Sequence, residues 1–131
     1  MKSFFLEKVR KKGGFKCYHA HFDKAFLINE GNLAKSQASL QEKWSLYREL
    51  KANYTREDLL NRMIRCVNLM LDQDVTFCRT FVDADQLVGE LPIDTALELR
   101  DIFKDRIKLE FAIQPLEGLD NRESEINFIN A

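Results

Sequence analysis

Two histidines, His19 and His21, are the only histidines in the chain and stand two positions apart. On a β-strand, side chains at i and i+2 point to the same face, so both imidazoles can approach one metal ion. Asp23 would point to the same face as the two histidines if the strand continued. The spacing taken alone is a weak signal, because many such pairs bind nothing. A metal site and a chance pair at a strand end both stay open on this evidence.

Two carboxylates follow the second predicted strand and form a further candidate group. Asp83 and Asp85 could in principle transfer protons, because active sites collect at this end of parallel strands. Such a pair more often caps a loop or is solvated, and we favour that interpretation. Arg79 lies inside an apolar strand, where an internal ion pair is expected in preference to a substrate contact.

The pattern of apolar residues predicts the elements that must position these side chains. Over residues 55–72, apolar residues recur at spacings of three and four, which predicts an amphipathic helix with Thr55 at its start. Residues 75–82 are β-branched and aromatic, which predicts a buried strand. A second helix is expected from about 92 to 104, opened by a proline, and another strand over 107–113.

The remaining segments give the order of elements. We expect a short amphipathic helix over 1–12, a strand over 15–22, a loop over 24–35, a helix around 40–50 and the start of another helix at 121–130. Strands separated by helices favour parallel pairing through right-handed crossovers. The predicted fold class is therefore α/β, in one domain or part of one.

Composition excludes several classes of partner. The chain has 131 residues with 20 Lys plus Arg against 21 Asp plus Glu. Because these charges nearly balance, the chain has no strong positive electrostatic potential to attract nucleic acid. No apolar run reaches the roughly 18 residues that span a bilayer, so we expect no membrane partner. Cys17, Cys66 and Cys78 form no CxxC pair and have apolar neighbours, which predicts buried free thiols in a reducing compartment. We therefore expect a cytoplasmic protein.

The segment around the histidines, CYHAHFDKAFL at 17–27, resembles the first barrel strand of the amidohydrolase superfamily, especially its cytosine-deaminase-like members. In that family His-x-His is followed by Leu or Phe, Asp and often Lys. Phe81 departs from the pattern, since those sequences often have a histidine there, and this leaves the particular substrate open. The similarity extends over about 100 residues, through Trp44, Lys51, YTREDL at 54–59, Arg62, RTFVD at 79–83 and QPLEG at 114–118.

The resemblance implies a partial (β/α)8 TIM barrel, with about the first three strands and their helices. It implies a metal-dependent hydrolase of C–N bonds, of the amidohydrolase or deaminase type, acting on a cyclic amidine or amide such as a pyrimidine-like base. His19 and His21 would be ligands of one divalent metal ion, zinc or iron, which activates water. Gln114 would bind the small-molecule heterocyclic substrate, the alternative being a polar loop residue before a proline turn.

A complete barrel takes about 250 residues, and the family's further ligands come from its fifth, sixth and eighth strands. We therefore expect residues 1–131 to be a truncated N-terminal portion of a barrel, without a second domain and inactive alone, whose missing C-terminal portion supplies the other ligands. The alternative is a non-catalytic module derived from such a barrel, which covers its inward-facing strand surface by forming a homo-oligomer. Sequence alone does not separate the two.

Overall fold

Three strands form one parallel sheet in the computed structural model, which describes residues 1–130. The strands are β1 (Phe15–Ala20), β2 (Val75–Asp83) and β3 (Lys108–Gln114), and β2 lies between the other two. Both connections between successive strands contain helices, as parallel pairing requires. The predicted α/β class with parallel strands is confirmed.

Helices make up most of the remaining chain. The longest helix spans Arg56–Leu71, and Thr55 caps its N-terminus as the sequence predicts. Thr55 Oγ1 accepts a hydrogen bond of 3.2 Å from the backbone N–H of Asp58. Residues 24–35, predicted as a loop, include a 3₁₀ residue at Lys24 and the start of a helix at Leu33. The helices are α1 (Lys2–Lys11), α2 (Leu33–Ala38), α3 (Leu40–Ala52), α4 (Arg56–Leu71), α5 (Leu91–Phe103) and α6 (Arg122–Asn130), with a 3₁₀ turn at Phe22–Lys24.

The apolar core lies on one face of the sheet, beneath α4 and α5. Leu59, Met63 and Val67 recur every four residues along α4 and are fully buried. They join a single cluster with Val82 of β2 and Leu99 of α5. Burying one such side chain contributes roughly 1.5–3 kcal/mol, so the packing of α4 and α5 on this face stabilises the fold.

The other face of the sheet, which we call the open face, carries the alternate residues of the strands. Tyr18 packs on Phe77 with ring centroids 5.2 Å apart and remains 64% exposed. Arg79 on β2 makes an ion pair of 2.8 Å with Glu110 on β3. Arg79 thus has an ion-pair partner as predicted, but the prediction that the pair is internal is wrong, because both side chains reach solvent on the open face.

The cysteines test a further prediction. All three thiols are free, but only Cys78 is buried, because Cys17 and Cys66 lie at the margin of the core and keep partial exposure. The predicted burial is therefore wrong for those two. Among residues 1–130, no helix combines the length and the apolar character that crossing a membrane demands.

Candidate functional site

Strand β1 ends between the two histidines. The strand was expected to reach residue 22, but it stops at Ala20, and His21 opens the 3₁₀ turn. The backbone N–H of Phe22 donates to Thr80 Oγ1 at 3.0 Å, which replaces a bond between strands. Asp23 is fully buried in this turn. The condition for Asp23 to share the face of the histidines, a strand that continues to residue 23, is therefore not met.

The imidazoles of His19 and His21 nevertheless converge. Their Nε2 atoms lie 3.1 Å apart, and the ring planes are inclined at 70°. Two nitrogens that each lie about 2.0–2.1 Å from one ion, at tetrahedral or octahedral angles, are separated by about 2.9–3.4 Å. Phe81 packs against both rings, with centroids 4.9 and 5.2 Å away. This separation fits two ligands of one ion, and it also allows one imidazole to donate a hydrogen bond to the other.

The electrostatic surroundings favour the neutral form of His21. Burial and then the nearby ammonium of Lys24 lower the pKa of His21 below its ordinary value. The neutral imidazole is the form that binds metal ions. Within residues 1–130, no group of three or more His, Cys, Asp or Glu side chains is arranged to hold a metal ion. The described residues thus offer two converging donors, fewer than the three or four protein ligands that metal sites use.

A cavity of about 370 Å³ lies at the carboxyl ends of the strands. Gln114 is the last residue of β3 and lines this cavity together with His21, so the structure brings these two predicted site residues together. Gln114 Oε1 accepts no hydrogen bond from the described residues. The cavity is lined by His21, Lys24, Gln114 and Leu116 from the strand ends, and by Leu40, Lys43, Trp44 and Tyr47 from α3.

A cluster of buried charges lies beside the cavity, and we call it the aspartate–lysine cluster: Asp23, Lys24, Lys51, Asp83 and Asp85. Lys51 Nζ lies 2.8 Å from Asp83 Oδ2 and 3.2 Å from Asp85 Oδ2. Lys24 Nζ lies 2.6 Å from Asp83 Oδ1. The backbone N–H of Asp83 donates to Asp23 Oδ2 at 3.1 Å. Asp83 therefore links the turn after β1 to helix α3.

Only part of the interpretation of Asp83 and Asp85 holds. Asp85 Oδ1 accepts hydrogen bonds from the backbone N–H groups of Leu87 and Val88, at 3.0 and 3.3 Å, so it caps its loop as expected. Neither aspartate is solvated, because both are fully buried. Sequence reasoning assigned no role to Lys51, which pairs with both carboxylates. Its position on the apolar stripe of α3, seven residues after Trp44, was the available signal.

Tyr54, just before α4, and Arg62, within α4, fix the turn that carries Asp23. Tyr54 Oη donates to the backbone oxygen of Asp23 at 2.8 Å. Arg62 Nη1 donates to the same oxygen at 2.7 Å and to that of Ala25 at 2.9 Å. Burial raises the pKa of Asp23, and Lys24 offsets this only in part. These bonds hold the chain just after His21 in one conformation.

Comparisons with known proteins show which structures this fold is similar to. No family model matches the chain. An uncharacterized protein of Haemophilus influenzae is 35% identical over 119 residues, which cover 90% of this chain and 43% of that protein. Structures of 5-methylcytosine deaminase from Klebsiella pneumoniae, liganded with 5-fluorocytosine or phosphonocytosine, match with a TM-score of 0.70 and 24% identity. The chain has the fold of the N-terminal part of that deaminase.

The deaminase is a member of the amidohydrolase superfamily, so the predicted resemblance is confirmed at the level of structure. The match covers 82% of this chain and 26% of the deaminase, and the three parallel strands correspond to about a quarter of its barrel. The predicted partial barrel is thus confirmed. The chain spans less than half the length of the Haemophilus protein and about a quarter of the deaminase.

Proposed function

We propose that this chain forms the first three strands of a metal-dependent amidohydrolase barrel that hydrolyses C–N bonds, with His19 and His21 as two ligands of one divalent ion. The observation that carries the proposal is the 3.1 Å separation of the two Nε2 atoms at the carboxyl end of β1. Neutral imidazoles suit zinc or iron. Such an ion, when bound, lowers the pKa of its water toward neutrality and makes it a nucleophile.

The cavity next to His21 suits a flat nitrogen heterocycle. Trp44 and Tyr47 line it with aromatic rings, on which a planar base can pack. Gln114 supplies an amide that both donates and accepts hydrogen bonds, and it would orient the ring. The deaminase of matching fold is named for 5-methylcytosine, so cytosine and 5-methylcytosine are the first substrates to test.

The remaining ligands would come from outside this chain, since the described residues supply only two converging donors. We therefore propose that the chain acts as the N-terminal portion of a longer cytoplasmic barrel, whose C-terminal portion completes the metal site. The three free thiols support a reducing compartment. A non-catalytic homo-oligomer is the second candidate, and it is favoured by the open face, where Tyr18 is 64% exposed.

Metal binding tests the ligand assignment directly. We expect His19→Ala and His21→Ala each to weaken Zn²⁺ binding to the purified chain by at least about tenfold, because each variant removes one of two donors. Isothermal titration with Zn²⁺ measures the affinity. Cys17→Ser is the matched control, since its thiol lies beside the site, 3.4 Å from the backbone oxygen of His19, and should leave the affinity unchanged. Unchanged Zn²⁺ affinity in both histidine variants would contradict the assignment.

Turnover tests the substrate class. The protein purified from its source should release ammonia from cytosine or 5-methylcytosine, and Gln114→Ala should raise KM by roughly tenfold, since a buried partner of the substrate is lost. Gln73→Ala, which changes an exposed glutamine, is the control. A defined oligomer of 15.4 kDa chains, without metal and without ammonia release, would favour the second candidate.

A further inference from the structure

Helix α3 forms one wall of the cavity, yet few of its side chains are buried. Leu40, Lys43, Trp44 and Tyr47 line the cavity, and Leu40 and Trp44 keep 69% and 47% exposure. The buried side chains of α3 are Leu46 and Lys51. Apolar packing therefore gives this helix little of its attachment to the sheet, in contrast to α4, whose Leu59, Met63 and Val67 are fully buried.

Lys51 supplies the attachment that apolar packing does not. It lies in the last turn of α3, is 1% exposed, and reaches the carboxylates of Asp83 and Asp85 at 2.8 and 3.2 Å. Asp83 is the last residue of β2, so the two ion pairs join α3 to the end of the central strand. Burial opposes the charge on Lys51, but the two carboxylates outweigh it, and its pKa is raised.

We propose that Lys51 is a positioning residue that holds α3 over the cavity through its ion pairs with Asp83 and Asp85. The importance of this position for catalysis rests on the proposed function, whereas the attachment of α3 does not. Asp83 also pairs with Lys24, which lines the same cavity, so one carboxylate ties together two walls of the site. A second link from α3, Arg48 to Glu117 at 3.0 Å, is more exposed and correspondingly weaker.

Lys51→Met tests the proposal, because methionine keeps the length of the side chain and removes its charge. Asp83 keeps Lys24 as a partner, and Asp85 keeps the backbone N–H groups of Leu87 and Val88, so neither carboxylate is left alone. Where Lys51→Met does not fold, the double variant Lys51→Met/Asp83→Asn removes one charge of each sign and leaves the net charge of the cluster unchanged.

Hydrogen exchange in the metal-free chain, followed by mass spectrometry, measures the attachment. We expect protection of the amides of α3 to fall by at least about 100-fold, because the two buried ion pairs that join α3 to Asp83 and Asp85 are lost, while α4 retains most of its protection. Trp44 is the only tryptophan, so its emission should also shift to longer wavelength. The control Lys35→Met removes the exposed pair with Glu49 and should change protection by at most about fivefold.

The outcomes separate this proposal from the proposed function. Unchanged protection and emission in folded Lys51→Met would overturn it, and so would an equal loss in α3 and α4 or the failure of both variants to fold. None of these readouts depends on metal or substrate. Failure of the histidine variants to alter Zn²⁺ binding would overturn the proposed function and leave the role of Lys51 in place.

Discussion

His19 and His21 meet because β1 ends between them. His19 belongs to the strand and His21 to the turn, so their rings approach at a steep angle and their Nε2 atoms come within 3.1 Å. Thr80 fixes the turn by accepting a hydrogen bond from the backbone of Phe22. The geometry of the candidate ligands therefore depends on a hydroxyl group of the neighbouring strand.

The thiol of Cys66 gives a prediction for alkaline pH. Burial raises the pKa of Cys66 from 9.0 to about 11, and Arg62 and Arg65 oppose this only in part. The folded chain therefore holds this proton where the unfolded chain has lost it. The stabilisation is fully present below pH 9 and is lost as the pH rises toward about 11.

We expect the difference in free energy of unfolding between the wild type and Cys66→Ala to shrink steadily over this range. Urea unfolding at a series of pH values measures this difference in free energy. The contributions of the other titrating groups are common to both proteins and cancel in the difference. A difference that stays constant from pH 9 to 11 would contradict the partial burial that raises the pKa of this thiol.

Helix α4 gives a prediction at the scale of elements, because it carries the same residue type on both of its faces. Leu59 is fully buried and Leu69 is 47% exposed. Leu59→Ala should lower the free energy of unfolding by about 2–5 kcal/mol, through lost burial and a cavity. Leu69→Ala should change it by about 0.5 kcal/mol or less. Urea unfolding of both variants measures the contrast, and similar losses would show that α4 does not pack as described.

The elements also show what sequence could predict. The apolar period of α4 and the β-branched run of β2 are local patterns, and both elements lie where those patterns predict. The end of β1 was misplaced because it depends on Thr80, 58 residues away from Phe22. Lys51 went unassigned because its carboxylate partners lie more than thirty residues further along the chain. Local patterns predict elements, whereas contacts between distant segments decide how the site is built.

At the scale of the whole molecule, the two faces of the sheet differ in what covers them. Helices α4 and α5 bury one face, while the open face holds aromatic rings and the Arg79–Glu110 ion pair. In the described part of the chain, β1 and β3 each pair only with β2. A wall with one covered face and two unpaired edges suits a segment of a closed barrel, which supports the proposal that further strands complete it.

Native mass spectrometry of the protein purified from its source tests the metal assignment and the barrel proposal together. We expect a polypeptide heavier than 15.4 kDa that carries one divalent ion per barrel, and we expect His19→Ala and His21→Ala each to lose that ion. A metal-free oligomer of 15.4 kDa chains, or unchanged metal content in both variants, would contradict the proposal that this chain builds a metal-dependent hydrolase.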